Sequence, residues 1–257
     1  MRPGSATRLL LVTIAIALLS GCRHKTAPVA VAPPPVLAPP SEAGPPAAAS
    51  AATPAAPSSA ALADSQADAE FVQAHPVIYR EEGLASWYGP PYDKRRGANG
   101  EIYDKDALTA AHRTLPMNSL VKVTNVSTGQ AVILRITDRG PFVPDRMLDL
   151  SLASAKAIGV WRPGVARVRV EVFAAPSPLD TGGRWCVQIG AFKDEKGAVK
   201  LRDQLTRKYR TANVIQFAGP TGHWVRIRPA NDDKDRAVEI ARGLEPSEGQ
   251  AYLVRLD

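Results

Sequence analysis

Three side chains able to move a proton stand in motif-like settings: Asp138 in ITDRGPF (Ile136 to Phe142), Glu101 in NGE, and His112 in AAHRTLP. Asp138 closes an alternating apolar run and is followed at once by Arg139, Gly140 and Pro141. A carboxylate so placed either caps a turn by bonding its own backbone or, desolvated at a strand end, stays protonated as a general acid. Glu101 follows an Asn-Gly turn, an ordinary place for a surface carboxylate, and His112 stands alone, as structural histidines do. Trp87, Tyr88 and Tyr92 carry flat faces that either fill a core or stack on a sugar. His24, His75, His112 and His223 are scattered, with no Cys/His cluster, so neither a metal nor another cofactor is expected.

These groups need a rigid frame, and strand-like runs supply one. They are Leu84 to Gly89, Ser119 to Asn125, Ala131 to Thr137 and Val165 to Phe173. In the last, Val168, Val170 and Val172 share one face while Arg167, Arg169 and Glu171 share the other. VSTGQ, with Gly129, reads as a hairpin connection. SLASAKAIG reads as one short helix, with Ser151 as N-cap and Gly159 as the stop. Short strands and a single small helix predict a compact, mainly β barrel of about 95 residues spanning 77–175. A linker, 176–183, precedes a change of pattern: from 184 to 257 the elements run βαββαβ, an α+β, ferredoxin-like arrangement. Its halves repeat, since Val187 and Ile189 stand 38 residues before Val225 and Ile227, as Asp194 does before Asp232. From Ala198 and Ala237 onward the offset is 39, which places an inserted residue after Lys234.

The amino terminus is of another kind. Arg2 and Arg8 flank the apolar run Leu9 to Leu19, and Ser20, Gly21 and Cys22 follow, the pattern of an export leader over 1–21. The run is about half of the roughly 20 residues a bilayer-spanning helix needs. LLSGC resembles a bacterial lipobox, which implies cleavage before Cys22, acylation of its thiol and membrane anchoring, each buried CH2 contributing about 0.8 kcal/mol. Arg23 in the second mature position, where Asp would retain the protein at the inner membrane, implies the outer membrane. Residues 22–76 read as a lipidated, disordered Ala/Pro-rich tether, and 40 extended residues reach on the order of 100 Å. With Cys22 acylated, Cys186 has no disulfide partner. The formal charge is +7, two of which leave with the leader. Export excludes nucleic acid as the partner of that charge and leaves an anionic wall or lipid surface.

In order and with normal spacing, ASWYGPPY, ANGEIYD, ALTAAHRTLP, VKVTN, ITDRGPF and DLSLASAKAIG resemble the double-psi β-barrel domain of the rare lipoprotein A family, septal lytic transglycosylases related in fold to plant expansins. WCVQIGAF and the βαββαβ order resemble a SPOR domain, which binds glycan strands stripped of their peptides. The resemblance implies cleavage of the β-1,4 bond between N-acetylmuramic acid and N-acetylglucosamine. The muramic acid 6-hydroxyl then attacks its own anomeric carbon, leaving a 1,6-anhydro end. Ordinary glycosidases need two carboxylates, whereas intramolecular attack lets one carboxyl serve as acid and then base.

Asp138 takes that role by resemblance. Glu101 would tune it or stabilise an oxocarbenium-like transition state, and His112 would bond Asp138 or the sugar. Trp87, Tyr88, Tyr92, Asn99 and Arg139 would contact substrate, as would Gln188 and Phe192 in the SPOR-like part. Two departures stand out: Gly97 where many relatives have Thr, and Arg228 to Asn231 in place of Gly-Pro-Phe. The implied partners are peptide-free glycan, the outer membrane at the septum, and divisome or amidase proteins. The competing expectation is a non-catalytic, expansin-like wall binder.

Overall fold

The computed structural model describes residues 59–89, 92–192, 194–216, 222–246 and 249–257. The leader, Cys22 and most of the Ala/Pro-rich stretch lie outside the described residues. The expected tether is corrected at its inner end, where Ser59–Ala74 forms a helix, α1. Pro57 and Pro76 bracket a proline-free, alanine-rich run of good helix formers. Asp68 on this helix pairs with Arg135 of the barrel.

Six strands close the barrel: β1 (Tyr79–Trp87), β2 (Thr109–His112), β3 (Leu120–Asn125), β4 (Ala131–Asp138), β5 (Arg146–Leu150) and β6 (Ala166–Ala174). Their order around it is β1-β5-β2-β4-β3-β6. β1 runs parallel to β5 and β2 parallel to β4, while the remaining neighbours are antiparallel. The alternation anticipated for β6 holds, with Val168, Val170 and Val172 inside against Val121, Val123, Leu134, Ile136, Leu148 and Leu150. β2 and β5 were not legible as strands. β5 is covered on both faces, so it shows no period of two. β1 begins at Tyr79, before the apolar run, because its polar half is held by cross-strand ion pairs, Arg80 with Glu171 and Glu82 with Arg169. The helix α2 (Leu152–Ala157) starts where expected, the Ser151 hydroxyl accepting from the Ser154 N–H at 3.1 Å.

The C-terminal part follows the anticipated βαββαβ order: β7 (Trp185–Phe192), α3 (Glu195–Thr206), β8 (Asn213–Gln216), β9 (His223–Ile227), α4 (Lys234–Arg242) and β10 (Gln250–Arg255). The antiparallel sheet is ordered β10-β7-β9-β8. The repeat appears as a register, since Val187 pairs with Ile227 and Ile189 with Val225 on adjacent central strands. The equivalent N-caps are Asp194 and Asp233, each accepting a main-chain N–H at 2.8 Å. The inserted residue therefore falls in the 3-10 turn Ala230–Asp232, where Asn231 has φ of 58°, and not after Lys234. Trp185, Val187, Ile189, Val225 and Ile227 pack with Ala198, Ala237 and Ile240 of the two helices. The other sheet face, with Cys186, Trp224, Tyr252 and Val254, packs with Phe142 of the barrel.

Candidate active site

Asp138 is the last residue of β4, where the strand leaves the core one residue beyond Thr137 and two beyond the fully buried Ile136. Its Oδ1 accepts from the Ala98 N–H at 2.8 Å and the Arg139 N–H at 2.7 Å; its Oδ2 accepts from the Tyr88 hydroxyl at 3.2 Å. One oxygen thus caps the turn while the other is left for chemistry. Burial pushes this carboxyl above its ordinary value against the pull of the three donors. With two N–H groups on Oδ1, the proton of the neutral acid belongs on Oδ2, on the Tyr88 side.

A cavity of about 330 Å³ adjoins it, lined by Trp87, Tyr88, Tyr92 and Tyr103, by Arg95, Arg96, Gly97 and Ala98, by Asp138 to Val143, and by Arg146, Asp149 and Trp224. That is a volume suited to a small-molecule or sugar site, for which about 300–1,000 Å³ is usual. Tyr88 meets Tyr92 and Tyr103 with ring centroids 5.5 and 5.2 Å apart. Of the residues picked out from sequence, Trp87, Tyr88, Tyr92, Asp138 and Arg139 come together here. Gly97 leaves room beside the acid, since a Cβ there would lie 3.7 Å from the Asp138 Cγ.

A second carboxyl was missed. Asp149 on β5 is 9% exposed and accepts from the Ser86 hydroxyl at 2.5 Å, with Arg146 at 3.8 Å. Burial raises its proton affinity, as does the nearby charge of Asp138. Strand register explains the juxtaposition, because Ala111 of β2 pairs with Asp138 on one side and with Asp149 on the other. The available signal was a lone Asp between Leu148 and Leu150, a carboxylate inside an apolar run.

Five expectations are corrected. His112 follows Ala111 on the strand and so points the other way. Its Nδ1 accepts from the Thr114 and Leu115 N–H groups at 3.2 and 3.0 Å, leaving the proton on Nε2, which donates to Glu81 at 2.5 Å. Both ring nitrogens are used away from Asp138, and the residue does not line the cavity. Burial alone would raise the Glu81 carboxyl, but His112 and Tyr79 hold it below its ordinary value. Glu101 is exposed and outside the lining; its carboxylate accepts from Asn99 Nδ2 at 2.7 Å, while Asn99 Oδ1 accepts from the Glu101 N–H at 3.0 Å. These two residues shape the loop that delivers the Ala98 N–H to Asp138, and neither reaches the cavity. Gln188 is fully buried and accepts from Arg226 at 3.1 Å. Phe192 folds over Gly190 into the helix-side core, where a Cβ on Gly190 would lie 2.3 Å from its ring. Neither is presented to a glycan.

Arg139 also differs from a free substrate clamp: Nη1 donates to the His112 and Leu115 carbonyls at 3.0 and 2.6 Å, and Nη2 to the Asp257 main-chain oxygen at 2.5 Å. Burial brings its guanidinium down to about 10. A wider depression of about 650 Å³ along α3 is bordered by Glu195, Lys196, Lys200 and Asp203, charges at helical spacing with no converging chemistry. Among the described residues no group of three or more His, Cys, Asp or Glu side chains could hold a metal ion.

Fold and site define a double-psi β-barrel with a carboxyl-lined cavity and an appended SPOR module. The family model described as lytic transglycolase matches residues 80–170, and that of the SPOR domain matches 181–255. The chain is 40% identical over 154 residues to an endolytic peptidoglycan transglycosylase RlpA of Campylobacter jejuni, covering 51% of this chain and 56% of that one. It is 48% identical over 166 residues to the protein of the same name from Vibrio cholerae, covering 62% and 63%, and 54% over 93 residues to that of Pseudomonas aeruginosa PAO1, covering 36% and 27%. Barrel and C-terminal module are thus each similar to the corresponding parts of the rare lipoprotein A proteins. The matched part spans about half the length of the Campylobacter and Helicobacter relatives, 56%, 48% and 51%.

Proposed function

We propose that this protein is an endolytic peptidoglycan lytic transglycosylase of the cell envelope. The observation that carries the reading is the half-buried Asp138, with one oxygen tied down by two N–H groups and its carboxyl raised by burial at the wall of a sugar-sized cavity. Protonated Oδ2 gives its proton to the glycosidic oxygen as the bond to the muramic anomeric carbon breaks. The carboxylate so formed takes the proton of the 6-hydroxyl as that oxygen closes onto the same carbon, so the acid is regenerated and no water is consumed. Asp149 supplies nearby negative charge to the cationic sugar and keeps a second proton site in the cavity. Trp87, Tyr88 and Tyr92 bind sugar faces. Glu101, Asn99 and His112 act through the loops and main chain that hold Asp138 and Arg139.

The finer reading is a lipoprotein acylated at Cys22, held at the outer membrane, and acting on peptide-free septal glycan alongside amidase or divisome proteins. Its support is the sequence pattern LLSGC-Arg23 and the SPOR match. A non-catalytic wall binder is the second reading, favoured by Glu101 and His112 standing off the cavity. Amidase-treated sacculi incubated with purified protein decide between them by mass spectrometry. Anhydro-muramic ends formed by the native chain and lost with Asp138→Asn support the lyase; glycan binding without such ends from folded native protein overturns it.

A further inference from the structure

The loop that follows Asp138 is contacted from outside the barrel as well as from within it. Phe142 lies against two aromatic side chains of the C-terminal sheet, with ring centroids 5.0 Å from Trp224 and 5.8 Å from Tyr252. Arg113, whose Nη1 donates to the Pro141 and Arg146 carbonyls at 2.8 and 2.7 Å, places its guanidinium 5.5 Å from the Tyr252 ring centroid. The Arg139 guanidinium binds the Asp257 main-chain oxygen at 2.5 Å, the Arg255 N–H donates to the Arg113 carbonyl at 2.9 Å, and the Met117 N–H donates to the Asp257 oxygen at 3.3 Å. These ties converge on the segment whose first main-chain N–H fixes Asp138 Oδ1, and Trp224 itself lines the cavity. Within the barrel, Arg139 is tied to the His112 and Leu115 carbonyls and Pro141 to Arg113, whereas Val143, Pro144 and Asp145 are exposed and no regular structure spans 139–145.

We propose that the C-terminal sheet is a working part of the barrel's site, with Phe142, Tyr252 and Trp224 as positioning residues that hold the Asp138 loop in its reactive geometry. This rests on the lyase reading of the same site. A small displacement of a general acid costs rate steeply while leaving sugar contacts elsewhere intact, so the loss belongs in kcat and not in KM.

The test uses the full chain with Phe142→Ala, Tyr252→Ala and the ring-retaining Phe142→Tyr. Amide hydrogen exchange is followed at Arg139, Gly140, Phe142 and Val143, and turnover is measured on peptide-free glycan. Both alanine variants should exchange about tenfold faster or more over this loop, with the β3, β4 and β6 amides unchanged. They should lose about tenfold or more in kcat with KM within about threefold, and Phe142→Tyr should restore both readouts. Should Tyr252→Ala unfold the sheet, Phe142→Ala still decides, since it removes a half-buried loop side chain and leaves the sheet's own residues in place. Native loop exchange in Phe142→Ala would overturn the proposal, as would native kcat. Absence of turnover in the native chain would sink the lyase reading alone, while the exchange measurement still decides whether the sheet fixes the loop.

Discussion

Asp138 and Asp149 share Ala111 as a strand neighbour, and both line one cavity. Two acids in one partly dry site titrate as a pair, each charge discouraging the other. Asp138→Asn removes that charge, so the Asp149 carboxyl should titrate at lower pH in the variant, read by carboxyl 13C chemical shift; no movement, or an upward one, contradicts the coupling. The same variant should reduce anhydro-product formation at least about hundredfold, the scale of a lost general acid, with glycan binding retained. Because the folded Asp149 carboxyl is raised, the stability it contributes is full below the ordinary carboxylate range and is lost as pH rises through the raised value. Asp149→Asn should therefore flatten the fall in urea midpoint above that range. Asp138 was legible from ITDRGPF and its family resemblance. Asp149 was not picked out, since nothing local says that β5 and β4 flank the same residue.

The elements that deliver these groups are held by capping as well as by apolar burial. Ser151 is fully buried; besides accepting from Ser154 it donates to the Ala107 carbonyl at 2.6 Å and so ties α2 to the segment leading into β2. Ser151→Ala should cost about 2 kcal/mol and lower the melting temperature by roughly 4–8 °C, with Ser151→Thr recovering most of it. A calorimetric shift below one degree would show the cap to be idle. Gly140 has φ of 147°, a backbone region any larger residue adopts with strain, which is why a glycine stands two residues after the acid. Ser151 and Gly159 could be read directly, since caps and stops are local chemistry. The β1 overhang from Tyr79 could not, its Arg and Glu residues being ordered only by partners on β6.

At the scale of the molecule, the barrel meets the βαββαβ module where Phe142 packs on one face of the module's sheet. Cys186 reports on that contact: it is fully buried within the Cys186, Trp224, Tyr252 and Val254 cluster, and burial pushes its thiol up to about 11. In a Cys22→Ser background a charged thiol reagent should label Cys186 at least about a hundredfold more slowly in the native protein than in denaturant, and Phe142→Ala should speed the reaction. Rapid native labelling would mean that the contact opens freely. Periodicity and caps let the sequence by itself determine the longer barrel strands, the short helix and the duplicated module, because each is written in residues near one another along the chain, whereas ITDRGPF left Asp138 open between cap and acid until the family resemblance was added. Only the tertiary structure decided that Asp149 joins Asp138, that His112 serves Glu81 and the backbone, and that Gln188 and Phe192 are buried. Those outcomes depend on which strands become neighbours and which sheet face is covered, contacts between residues tens of positions apart that no local pattern encodes.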